Sequence, residues 1–179
     1  MAHPSVLVVL WAFHPLWLLA GWLDYRVHRR NEMASPHGAR EAALHLAMLV
    51  QVAVGIAAAL AFLPSYLLLL ILMLLAMAYL VTTSLNPRWV DGRRRTGPLA
   101  RALHTLFEAL PLLGLALFIA DNLPRLDLLA TPGWTLDWRS PPLPPGVWLA
   151  VFLPGALFAV GPGLVELRRA LRARATQAA

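Results

Sequence analysis

Long apolar stretches, separated by short polar or Pro-rich segments, set the pattern of this chain. Five of them reach the length at which a helix crosses a hydrocarbon layer of about 30 Å, which takes about 20 residues. They lie near 5–25, 41–62, 65–84, 99–120 and 147–167. In lipid, a backbone must satisfy its own hydrogen bonds, so stretches of this kind become helices. The pattern therefore predicts an all-α, polytopic membrane bundle of about five transmembrane helices, with residues 1–179 forming one integral membrane domain. The link at Pro64–Ser65 is so short that the second and third spans must form a tight antiparallel hairpin. Residues 121–145 read as an external loop. Its Pro141-Pro142 and Pro144-Pro145 pairs favour extended backbone, and Trp134 and Trp138 suit a membrane interface. There is no internal repeat.

Polar residues break this pattern in a regular way. Asp24, His28 and Glu32 are spaced by four, and so are His37, Glu41 and His45. Residues four apart share one face of a helix. If the two segments are antiparallel helices joined near Met33–Ala34, Asp24 faces His45, His28 faces Glu41 and Glu32 faces His37. Each rung sets a carboxylate opposite an imidazole, with about 6 Å of helical rise between rungs. His104 and Glu108 repeat the spacing on a later span.

Imidazole nitrogen and carboxylate oxygen suit iron, zinc or manganese, and helical bundles build such centres from facing helices. The metal candidates are Asp24, His28, Glu32, His37, Glu41, His45, His104 and Glu108. Iron is favoured. The spacing differs from the Glu-x-x-His of ferritin-like sites, and the H-x-x-H-H boxes of membrane desaturases are absent. Two other uses compete. The rungs can be a structural or proton-relaying ladder, because buried charges need partners. A histidine can also ligate a tetrapyrrole, a role better suited to His14, remote from the carboxylates and followed by Pro15. His14 reads more simply as a polar contact at a Pro kink. Tyr79, Thr82, Thr83 and Ser84 end the third span, where hydroxyls commonly bond helix carbonyls.

Composition agrees with the pattern. Of 179 residues, 59% are hydrophobic and 13% charged, against about 25% charged in a soluble domain. Mean hydropathy is +0.64. The absence of cysteine excludes disulfides, thiolate ligands and iron–sulfur clusters. The first span lacks the basic flank and small-residue cleavage site of a signal peptide, and carries Trp11, Trp17 and Trp22. All 15 basic residues are Arg. Thirteen flank one side of the five spans and only Arg125 and Arg139 the other, which places the N-terminus outside and the C-terminus in the cytoplasm. Arginines at the ends of apolar spans do not indicate nucleic acid. The expected partners are membrane lipids, a lipid-like substrate and other membrane subunits. No phosphate-binding loop or nucleophile elbow occurs.

The segments D-Y-R-V-H-R-R-N-E (24–32), H-G-A-R-E-A-A-L-H (37–45) and R-R-R-T-G-P-L-A-R-A-L-H-T-L-F-E-A-L-P (93–111) resemble a small family of bacterial inner-membrane proteins with no assigned activity. Its motifs are D-x3-H-x3-E, G-x2-E-x3-H and H-x3-E-x2-P. The resemblance covers about residues 20–111. It implies metal ligands at Asp24, His28, Glu32, Glu41, His45, His104 and Glu108. This chain departs from the pattern at Tyr79 in place of a third-span His, at Asn86 in place of Asp, and at Ala100 and Ala102 in place of Glu and His. The departures imply one metal rather than two, or a non-catalytic relative kept as a structural subunit.

Overall fold

The computed structural model describes residues 12–31, 38–85, 98–126 and 133–178. The helices are α1 (His14–Asn31), α2 (Gly38–Ala61), α3 (Tyr66–Ser84), α4 (Pro98–Leu126), α5 (Pro145–Gly155) and α6 (Gly161–Ala178). A π-helical turn, Ala156–Val160, joins α5 to α6, so the last two form one interrupted rod. Among the described residues there is no strand, only an isolated bridge between Phe62 and Trp138. Four helical segments are long and apolar enough to cross a membrane: 39–61, 66–84, 101–124 and 145–172. The protein is an all-α membrane bundle, as the apolar pattern predicts. Three elements outrun their expected limits, and α1 does so by six residues, to Asn31. α4 continues to Leu126, six residues into the expected loop, and α6 carries the last span into the Arg-rich tail.

α1 packs against α4, while α2 packs against both α3 and α6. The first contact depends on Gly21. An added Cβ there would lie 2.7 Å from Phe107 Cε2, so only a residue without a side chain lets the ring seat against the α1 backbone. Gly163 plays the same part for Leu46, where a Cβ would come within 3.0 Å. Small residues at helix crossings are how membrane helices gain packing when lipid removes the hydrophobic drive between them. Trp17, Leu18, Ala20, Met48, Leu49, Tyr79, Phe107 and Leu110 form the buried core. The far side of α3 shows Leu70, Met73, Leu74, Met77, Leu80 and Val81 to the surroundings, an apolar surface that suits acyl chains.

The α2–α3 turn is closed by specific bonds. The Ser65 hydroxyl accepts from the Leu68 N–H at 3.1 Å and caps α3. The end of α2 is held by the segment 133–144, which lies across it as a strap. Arg139 donates from Nε to the Leu60 carbonyl at 3.0 Å, and from Nη2 to those of Ala59 and Phe62, each at 3.3 Å. Its backbone N–H bonds the Ala61 carbonyl at 2.8 Å, and Leu63 N–H bonds the Asp137 carbonyl at 2.9 Å. Together with Phe62 N–H on Ala58, these give every carbonyl from Ala58 to Phe62 a donor. A helix end without such partners would leave its last four carbonyls bare. Trp138 packs at a tilt against Phe62 and Trp134 against Tyr66, with ring centroids 4.5 and 5.9 Å apart.

Candidate functional site

Some of the periodic polar residues lie near one another toward the Arg-rich end of the bundle. α2 carries Glu41 and His45 on one face, and α4 carries His104 and Glu108. His104 Nε2 lies 3.1 Å from Glu108 Oε1, the expected i, i+4 pair on one helix. The His45 ring comes in from α2, its centroid 5.7 Å from that of His104. Glu41 and His104 are each only 6% exposed, deep for ionisable side chains. Four of the eight sequence-derived candidates, Glu41, His45, His104 and Glu108, thus lie on two helices at one level of the bundle. The other four are not placed. Glu32 and His37 lie outside the described residues, and the Asp24 and His28 side chains are not among those described. The rungs pairing α1 with α2 therefore rest on the spacing alone.

Aromatic residues complete the surroundings, and the four-residue spacing gave no hint of them. Phe107, between His104 and Glu108, is T-shaped to His45 at 6.3 Å and stacks on Trp17 of α1 at 5.6 Å with ring planes 8° apart. Trp17 in turn lies 6.0 Å from His14. A series of five rings, His14–Trp17–Phe107–His45–His104, therefore runs through the core. The signal available in the sequence was the i, i+3 step on each helix, His14 to Trp17 and His104 to Phe107.

Tyr79 enters from α3. Its hydroxyl donates to the Glu108 carbonyl at 3.2 Å, and the residue is 3% exposed. Pro111, which has no N–H, deprives the neighbouring Phe107 carbonyl of its helical donor. The remaining hydroxyls behave as membrane-helix hydroxyls usually do: Thr82 bonds the Ala78 carbonyl, Thr83 that of Leu80 and Ser84 that of Val81. Thr82 also accepts from Gln51 Nε2 at 3.0 Å, tying α2 to α3.

The donor types suit a divalent transition metal: the His104–Glu108 pair on α4, the His45 ring beside His104, and Glu41 one turn along α2 from His45. Among the described residues, no three His, Asp or Glu side chains form a group that could hold a metal ion. A complete set would draw on the α1 stripe of Asp24 and His28, and α1 is the helix that packs on α4. The chain matches no family model, no curated protein and no solved structure. The likeness of segments 24–32, 37–45 and 93–111 to an inner-membrane family remains an expectation carried by those motifs.

Proposed function

We propose that this chain is an integral membrane metalloprotein. Its imidazole/carboxylate centre, at the Arg-rich end of the bundle, binds a divalent transition metal, with iron favoured over zinc or manganese. The observation that carries the proposal is the approach of the His45 ring from α2 to His104, which is itself paired with Glu108 on α4, inside an otherwise apolar core. Ionisable groups at such depth are costly, and in membrane bundles they mark function by default. His45, His104 and Glu108 are the described donors. Asp24 and His28 are the further donors proposed from their spacing on α1, and Glu41 lies one turn from His45. When bound, the metal supplies one-electron redox or Lewis-acid chemistry. The protein's own part is to exclude water, through Trp17, Phe107 and Met48, and to fix the donors on helices. With α3 presenting apolar surface to lipid, a lipid-like or quinone-like amphiphile is the substrate that can reach the centre laterally. The Arg distribution supports a bacterial inner-membrane protein with its N-terminus outside and C-terminus in the cytoplasm.

A second use is favoured by one observation. His104 and Glu108 already lie against each other within α4 at 3.1 Å, as an i, i+4 pair that needs no metal to hold it. The cluster would then be a structural ladder in an accessory subunit of a larger membrane complex. Elemental analysis of purified protein separates the two. About one equivalent of iron or zinc is expected, sharply reduced by His45→Ala and retained in His14→Ala. Protein without metal would instead favour the ladder, in which His45→Ala acts mainly on thermal stability.

A further inference from the structure

A second polar pair lies one turn apart on α1, beyond the imidazole/carboxylate cluster. His14 Nε2 donates to the Val151 carbonyl of α5 at 2.9 Å. In a neutral imidazole that bond leaves Nδ1 as the acceptor. Nδ1 is buried and has no hydrogen-bond partner among the described residues. Trp17 is 7% exposed, and its indole Nε1–H, which can only donate, is also buried without an acceptor among the described residues. The two rings are neighbours, with centroids 6.0 Å apart. Burying either group unsatisfied is costly. Two complementary ones on a single face therefore point to a common ligand. The wall facing α1 is irregular: α5 contains Pro154, and the π-helical turn Ala156–Val160 packs on α1, with Ala159 against the core. Such turns recur at functional sites because they interrupt the helical ladder.

A hydroxyl answers both atoms at once. Its oxygen accepts from Trp17 Nε1–H, and its hydrogen goes to His14 Nδ1. With hydrogen bonds of about 2.9 Å, one oxygen can bridge two nitrogens up to about 6 Å apart. We propose that His14 and Trp17 form a binding site for a single hydroxyl group, carried either by a quinol-type aromatic amphiphile or by an internal water. Trp17 is stacked on Phe107, so a flat aromatic head has a ring surface beside it. The site does not depend on a metal at His45 and His104, and its test does not read metal content.

The test uses the full chain in detergent micelles with 15N-labelled tryptophan. The Trp17 indole signal is assigned by its disappearance in Trp17→Phe, which keeps a ring against Phe107. His14→Phe removes the second anchor, and His14→Gln gives a milder variant whose thermal midpoint reports folding. The expected result is an indole proton that exchanges slowly with solvent and moves upfield in both His14 variants. Equilibrium dialysis of decylbenzoquinol should show binding that Trp17→Phe and His14→Phe each weaken about tenfold, the effect of one lost hydrogen bond. Absence of quinol binding, with the indole signal still responsive to His14, assigns the hydroxyl to water and supports the site. A Trp17 signal indifferent to both His14 variants and to quinol overturns it.

Discussion

The two ends of the bundle treat polarity in opposite ways. At the strap end, a single cation is spent entirely on backbone: Arg139 serves the carbonyls of Ala59, Leu60 and Phe62, and its own N–H serves Ala61. Toward the Arg-rich end, side chains meet side chains. His45, His104 and Glu108 come together from two helices, each already hydrogen-bonded along its own backbone. A helix end in an apolar setting demands donors, so Arg139 has a structural reason to exist. The middle of a helix demands nothing. Imidazoles and carboxylates placed there require another explanation, and metal binding is the one we propose.

Parallel variants at the two ends test this contrast most strongly. His104→Ala should remove nearly all bound metal, whereas Arg139→Ala should leave the metal content at the wild-type level; elemental analysis of both proteins gives the answer. Equal loss in the two would mean that metal content merely follows folding. The next effect is on stability. Arg139→Ala takes three donors from the end of α2 and should cost about 2–3 kcal/mol in a denaturant titration of the detergent-solubilised protein. Arg139→Lys, with charge but no planar fork, should recover less than half of that. A neutral result would show that the strap only rests on α2.

A smaller effect is expected where the α1–α4 contact adjoins the cluster. Gly21→Ala sets a methyl 2.7 Å from Phe107 Cε2. Phe107 is held by its stack on Trp17, so the clash should cost about 1–3 kcal/mol. It should also shift the ring resonances of His45, which lies against Phe107. Unmoved His45 resonances in a destabilised Gly21→Ala protein would separate the core from the cluster. The smallest change expected is that of Tyr79→Phe. It removes one bond to the Glu108 carbonyl, worth about 0.6–1 kcal/mol in a membrane bundle. A larger loss would assign Tyr79 to the cluster itself.

What the sequence determined by itself follows from short-range rules. Apolar length dictated the helices, because lipid allows backbone groups no other partners. The spacing of four put Glu41 with His45 and His104 with Glu108, because helical geometry fixes which residues share a face. The shortness of the Pro64–Ser65 link forced the hairpin, and Ser65 proved to be its cap. Tertiary structure alone decided which faces meet. No periodicity announces that Gly21 will admit Phe107, or that Trp17 and Phe107 will link His14 to His45. These contacts join residues up to 90 positions apart in the chain, and they depend on the volumes of both partners. Arg139 is the clearest case. In the sequence it was one of two arginines on the sparsely charged side; in the fold it closes a helix that ended 78 residues earlier. Charge is written in the chain, but the carbonyls that need it become apparent only when the strap folds across them.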